Sequence, residues 1–503
     1  MESLSALAGG FAVAAQPGNL LYLAMGVTLG TAIGVLPGLG PALTIALLLP
    51  LTSGIDPVAA MIMFAGIYYG AMYGGSTTSI LINTPGESAS VVTALEGYQM
   101  ARRGRAGAAL ATAAIGSFVA GNLAAVGLVL FAPILVAFAL KFGPAEYFAL
   151  MVLALTAVTG LFERNLAKGV ASLLIGMAIG FVGIDLQTGQ ARYTFGIPQF
   201  FDGISIVNVA VGLFGIGEVL WVASTWRFAE TARVALKGRV WMTREEFGRS
   251  WRPWLRGSAL GFSVGSLPAG GADIPVWLSY NAERNLSKHK DEWGKGAIEG
   301  VAGPEAANNA ASGGAMMPLL SLGLPTSTTT AIMLAAFIQY GLTPGPLLFQ
   351  TRPDLVWGLI ASFYLGNVAL LMLNLPLIRL WVKFLELPQA LLYACIVVFA
   401  TLGAWSISLS TVDLLVMVAA GVLSFAMRCN GIPLAPAILG LVLGPRLEQQ
   451  FRQALTISGG DFTTFFTRPI SLTILIAAAC LILVPLALRL RARARARARG
   501  EAA

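Results

Sequence analysis

The stretch GAMYGGSTTSILINTPGESASVVTAL, residues 70–95, decides how the chain is read. It is apolar overall, yet glycines pair at Gly74-Gly75 and a Pro85-Gly86 step follows. Where a plain spanning helix would carry leucine, it places Ser76, Thr77, Thr78, Ser79, Asn83, Thr84, Ser88 and Ser90. A second stretch, NNAASGGAMMPLLSLGLPTSTTTAIML at 308–334, repeats the plan. Gly313-Gly314 match Gly74-Gly75, and Pro325 matches Pro85 once one residue is inserted. Upstream, GVLPGLG at 34–40 returns as GSLPAGG at 265–271. Paired Gly/Pro interruptions at corresponding places in two halves of a membrane chain point to a binding site at a repeat interface.

Composition sets the class. Of 503 residues, 56% are hydrophobic and 11% charged, with mean hydropathy +0.77. A soluble domain has no use for that much apolar surface, so the chain reads as an all-α polytopic membrane protein. Its 58 glycines exceed average usage and suit closely packed membrane helices. Cys395, Cys429 and Cys480 lie far apart, without disulfide or metal spacing, and are expected to be buried as small apolar residues. The single histidine, His289, stands between Lys288 and Lys290 and cannot make a metal site alone. No basic segment precedes the first apolar run, which reads as a membrane segment and not as a cleaved signal.

Apolar runs continue to residue 222, where a polar stretch begins that carries Arg227, Arg233, Lys237, Arg239, Arg244, Arg249, Arg252 and Arg256. The expected divisions are a first membrane repeat at 1–222, an amphipathic cytoplasmic linker at 223–256, a second membrane repeat at 257–488 and a basic cytoplasmic tail at 489–503. With the linker inside and each interrupted stretch entering and leaving on one side, most Lys and Arg fall in the cytoplasm. Lys141, Arg192, Arg352, Arg446, Arg452 and Arg468 are left outside. This threading makes the halves two inverted-topology repeats with broken, re-entrant helical hairpins, the N-terminus periplasmic and the C-terminus cytoplasmic. The net charge of +8 then reflects topology and anchoring to anionic lipid, with no role in binding nucleic acid.

Four segments resemble one family: GVLPGLGPALTIALLLP (34–50), AGIYYGAMYGGSTTSILINTPGESASVVTALEGYQMARRGRAG (65–107), LSKHKDEWGKGAIEGVAGPEAANNAASGGAMMPLLSLGLP (286–325) and GLTPGPLLF (341–349). They are similar to the large membrane subunit of tripartite tricarboxylate transporters, the TctA type, and the resemblance runs from about residue 20 to about 485. It implies a carrier of the bacterial inner membrane that works with a periplasmic carboxylate-binding protein and a small integral membrane subunit. It also implies import of a citrate-like di- or tricarboxylate driven by an ion gradient, with no cofactor beyond the coupling Na⁺ or H⁺.

The interruptions suit an anionic substrate. A helix end leaves backbone N–H or C=O groups without partners, and hydrocarbon offers none. N-terminal ends attract carboxylates and carbonyl ends attract Na⁺. Helix starts are expected at Gly38 to Pro41, Ser76 to Ser79, Gly86 to Ser88 and Thr326 to Thr329, and mirrored pieces at Gly270 to Asp273 and Asn308 to Gly314. The substrate-binding set is therefore Gly38, Gly40, Ser76, Thr77, Thr78, Asn83, Pro85, Gly86, Gly270, Gly271, Asn308, Asn309, Gly313, Gly314, Pro325, Thr326, Ser327 and Thr328. Each serine and threonine also has a bland reading, a bond back to its own helix. Glu87, Asp273 and Glu305 are cation-coupling candidates, with helix capping as the rival role for Glu87 and Asp273. No Lys or Arg occurs between 1 and 101 or between 296 and 351, so the site should lack arginine. Half-helix ends, each worth about half a charge, leave part of a di- or tricarboxylate uncompensated, and a cation would supply the rest.

The alternative is a passive anion or solute channel built from paired half-helices; two interruptions per half favour a carrier. An enzyme is not expected, because HExxH and P-loop motifs are missing.

Overall fold

The computed structural model describes residues 2–36, 38–161, 166–185, 187–225, 236, 240–268, 271–385 and 387–498. Gly270, much of the expected linker and the end of the basic tail lie outside this set. The longer helices, in chain order, are α1 Glu2–Ala14, α2 Pro17–Val35, α3 Pro41–Leu48, α4 Pro57–Ile82, α5 Val91–Met100, α6 Ala106–Ala139, α7 Pro144–Leu161, α8 Leu166–Gly180 and α9 Ile206–Thr225. They continue with α10 Arg244–Gly265, α11 Asp273–Leu286, α12 Glu299–Leu322, α13 Thr328–Gln339, α14 Pro353–Asn374, α15 Gln389–Ser408, α16 Thr411–Cys429, α17 Ala435–Ile457 and α18 Pro469–Ala498. Among the described residues the one sheet is a short antiparallel pair, Gly183–Ile184 (β1) with Ala191–Arg192 (β2).

Among the described residues, six helical stretches are long and apolar enough to cross a membrane: α2, α4, Ser88–Ala139, α9, α14 and α16. The fold is that of an all-α membrane protein. The chain forms two compact units, residues 1–139 with 205–426 and residues 140–204 with 427–503. Helix α10 starts inside the stretch read as linker and continues unbroken past Gly257. In the smaller unit α8 packs on α17, and α7 on α17 and α18.

The larger unit contains the same construction twice. Helix α2 lies along α4 through Gly26, Gly30 and Gly34, which meet the backbone of Met63, Ile67 and Ala71. Helix α10 lies along α12 through Gly257, Gly261 and Gly265, which meet the backbone of Gly303, Ala307 and Ala311. A methyl group added at Gly30 would stand 2.5 Å from the Ile67 carbonyl oxygen. Such spacing is how small residues let membrane helices touch without side chains between them.

The long helix of each pair ends in the same way. At the end of α4, Asn83 adopts φ 55°; at the end of α12, Gly323 adopts φ 68°. A left-handed residue is the usual helix stop, and Pro85 and Pro325 follow two residues later. The chain then restarts on a hydroxyl cap. The Glu87 N–H donates to Ser90 Oγ at 3.3 Å, and the Ser327 N–H donates to Thr330 Oγ1 at 2.9 Å.

Three expectations are corrected here. Helix α4 runs straight through Gly74 to Ser79, and α12 through Asn308 to Gly314, so neither stretch is a break and neither supplies a helix start. The physical reason is that an apolar interior offers no replacement for lost backbone hydrogen bonds; glycine weakens a helix by only about 1 kcal/mol. These glycines serve close approach instead. Gly74 meets Thr31 and Val35 of α2, Gly75 meets Glu87, Gly313 meets Ala124 and Tyr69, and Gly314 meets Phe262. The third correction concerns cysteine: Cys395, Cys429 and Cys480 are all exposed on the protein surface. In a chain whose outer surface faces lipid, exposure does not conflict with apolar character.

A charged lattice secures one part of the larger unit. Arg249 bridges Glu292 at 2.7 Å and Glu299 at 2.8 Å, Arg105 bridges Glu246 at 2.8 Å, and Arg256 pairs with Glu283. Glu96 is fully buried and accepts from the Tyr280 hydroxyl at 2.9 Å and from the N–H groups of Gly294, Gly296 and Ala297 at 2.6, 2.8 and 3.0 Å. The loop after α11 is thereby fastened to α5.

Candidate functional site

The two restarts place polar groups against the middle of α12. After Pro85 the chain folds back onto α4, and Gly86 lies against Gly34, Gly75 and Thr78 so tightly that a methyl group would come 2.6 Å from the Gly75 Cα. This seating presents Glu87 to α12, where Asn308 Nδ2 donates to Glu87 Oε1 at 2.6 Å. Asp273, the first residue of α11, lies close to Ser88. One helix turn before Asn309, Glu305 is fully buried. Its Oε2 accepts from Thr93 Oγ1 at 2.8 Å, and its Oε1 from Asn309 Nδ2 at 3.3 Å and from Ser117 Oγ at 3.5 Å. Asn309 Nδ2 also donates to Ser117 Oγ at 2.6 Å. The larger unit thus joins the first restart, α5, α6 and α12 through carboxylates, amides and hydroxyls.

Two features give this cluster chemical capacity. Asn308 Oδ1 and Asn309 Oδ1 are buried without a hydrogen-bond partner, as are the Tyr69 hydroxyl and Asn367 Nδ2. An unsatisfied buried acceptor costs about 1–3 kcal/mol, so two adjacent ones suit a ligand that donates or a cation. Among the described residues, no ion pair involves Glu87, Asp273 or Glu305. The neighbourhood is acidic and polar, and its carboxylates are held by neutral donors.

The other expected residues fall into groups. Helix starts occur where read at Pro41, with Gly40 as N-cap, at Ser88, at Asp273 and at Thr328. Gly38 and Gly271 have φ of 84° and 46°, the left-handed region glycine adopts freely. Gly270 lies outside the described residues. Asn83 is an exposed helix stop. Ser76 Oγ donates to the Tyr73 carbonyl at 2.8 Å and Thr78 Oγ1 to the Gly75 carbonyl at 3.0 Å, bonds within their own helix. Thr77 is buried beside them. Thr326 Oγ1 donates to the Gly265 carbonyl at 3.2 Å, tying the second restart to the end of α10, while Ser327 and Thr330 cap α13.

Several residues outside the expected set also stand out. Thr93 and Ser117 hold Glu305. The Tyr73 hydroxyl donates to Asn367 Oδ1 at 3.3 Å. Asn208 is fully buried, and neither side-chain polar atom has a partner. Glu218 comes close to the Gly38 turn. The signal was available for Asn208, Glu218 and Asn367: each is a polar residue inside an apolar spanning run, where such groups are costly to keep. Asn208 also sits just before a π-helical turn at Val211–Ile216, a distortion common at functional sites.

Apolar helices of spanning length make this a multi-pass membrane protein. The chain belongs to the Tripartite tricarboxylate transporter TctA family, whose model matches residues 20–439. It is 48% identical over 483 residues, 95% of this chain and 96% of the relative, to a protein of Agrobacterium vitis described as an uncharacterized 52.8 kDa protein in the TAR-I ttuC' 3'region. It is also 47% identical over 215 residues, 43% of this chain and 89% of the relative, to an uncharacterized protein in the TAR-II ttuC' 3'region of the same organism. No solved structure matches the chain. The family makes this chain a subunit of a tricarboxylate transporter.

Proposed function

We propose that the protein is the large membrane subunit of a secondary active transporter that imports a di- or tricarboxylate across the bacterial inner membrane by symport with Na⁺ or H⁺. A periplasmic carboxylate-binding protein delivers the substrate, and a small integral membrane subunit completes the assembly. The halves 1–222 and 257–488 act as inverted repeats, with 223–256 and the basic tail in the cytoplasm and the N-terminus in the periplasm. The observation that carries this reading is the Glu87–Asn308 contact between the first restart and the second long helix. It couples the two copies of one construction at a buried site without an arginine partner.

In this reading the two restarts offer to substrate carboxylates the backbone N–H groups that capping leaves over, those of Gly86, Ser88 and Thr328, and Asn308 and Asn309 present their free acceptor oxygens. Glu305, Glu87 and Asp273 attract the cation. Without it, the acidic groups repel an anionic substrate; with it, that repulsion is reduced and both bind together. The deciding experiment is uptake of labelled carboxylates into proteoliposomes with the two partner proteins, varying Na⁺ and pH gradients separately. Uptake that follows one gradient supports symport; uptake indifferent to both rejects it.

A further inference from the structure

The smaller unit holds a second charged site that the larger unit's cluster does not involve. A cavity of about 170 Å³ lies between the end of α8, the β1–β2 loop and α17, with Asp185, Arg192, Arg446, Glu448 and Arg452 as its charged lining. That volume matches on the order of five water molecules, at roughly 30 Å³ each. Four of the charged groups form a closed ring. Arg192 pairs with Asp185 and with Glu448 at 2.8 Å, and Arg452 pairs with Asp185 at 3.0 Å and with Glu448 at 2.6 Å. Thr188 Oγ1 donates to Asp185 at 2.8 Å, and the Gln187 N–H donates to it at 3.0 Å. Two cations and two anions cancel within the ring.

Arg446 is the surplus cation. It follows Pro445 at the end of the apolar part of α17, and among the described residues its side chain makes no hydrogen bond or ion pair. Burial alone pushes its guanidinium below the usual range, with no carboxylate opposing the shift. A half-buried cation without a counter-charge is a costly arrangement. Here the nearest carboxylates are fully engaged by Arg192 and Arg452, so they are not free to turn to it. A planar guanidinium binds carboxylates and phosphates with two parallel hydrogen bonds.

We propose that Arg446, kept unpaired by the Asp185–Arg192–Glu448–Arg452 ring, anchors a second site for an oxyanion: a free small carboxylate or the phosphate of an anionic lipid headgroup. The test follows phenylglyoxal labelling of Arg446 by peptide mass spectrometry, using the full-length protein in nanodiscs. In discs of phosphatidylcholine alone, succinate or citrate at about nine times Kd slows labelling about tenfold if a soluble carboxylate occupies the site, while sorbitol has no effect. In discs containing phosphatidylglycerol and no carboxylate, slowed labelling assigns the site to lipid. The same experiment on Asn308→Ala separates the two sites: protection that persists there supports the proposal even where transport is lost. Labelling equally fast in every arm, no labelling of Arg446 under any condition, or protection that vanishes in Asn308→Ala overturns it.

Discussion

At the scale of single residues, the amides of α12 decide how the acidic groups are held. Removing the Asn308 side chain deprives Glu87 of a 2.6 Å donor. A hydrogen bond to a charged group contributes roughly 1.5–3 kcal/mol, so Asn308→Ala is expected to cut carboxylate uptake about tenfold or more while insertion and elution as a folded protein stay normal. Wild-type uptake would remove Asn308 from the site. Glu305→Gln keeps the size of the side chain but removes the charge that Thr93, Ser117 and Asn309 surround. It should abolish the dependence of uptake on the cation gradient, and an unchanged Na⁺ and pH response would show that Glu305 is structural. Asn308, Asn309 and Glu305 were readable in the sequence because polar residues rarely stay in apolar runs without a function. The partners Thr93 and Ser117 were not, since a small hydroxyl in a helix usually bonds to its own backbone. That bland reading is how Ser76 and Thr78 behave.

At the scale of elements, the two restarts were legible from their prolines, whereas the role of the glycines was not. Pro85 and Pro325 mark real helix ends, whereas Gly74-Gly75 and Gly313-Gly314 are contact points inside unbroken helices. The same letter permits both roles, and only the position of a neighbouring helix distinguishes them. Gly30→Ala and Gly261→Ala should each force a helix pair apart and lower stability by about 1–3 kcal/mol, read as earlier thermal unfolding in detergent. Gly248→Ala, with open space around it, should do no harm. The loop after α11 carries a pH dependence. Hydrogen bonding from Arg249 holds Glu292 below the usual carboxylate range. A depressed native pKa contributes stability above the ordinary carboxylate pKa of about 4.3 and loses it as pH falls further. Hydrogen exchange across 287–298 should therefore quicken relative to the rest of the chain on acidification below about pH 4, and uniform behaviour across the chain would contradict this.

At the scale of the whole molecule, composition alone was enough for an all-α membrane protein, and four motif segments were enough for the family. The division into compact units was not legible, because each unit gathers pieces distant in sequence, 1–139 with 205–426 and 140–204 with 427–503. The proposed inversion makes opposite predictions for two exposed positions. In a variant lacking Cys395, Cys429 and Cys480, Arg103→Cys should resist a membrane-impermeant maleimide in intact spheroplasts, and Gln350→Cys should react. Labelling of both from the same side would discard the inverted threading. The glycine-lined pairs α2–α4 and α10–α12 have one more consequence. With backbone meeting backbone, no acyl chain can wedge into either seam, so cohesion there owes nothing to the surrounding bilayer. Swapping thick membranes for thin ones, or lipid for short-chain detergent, should loosen the outer helices first and leave these two seams as the last structure to melt.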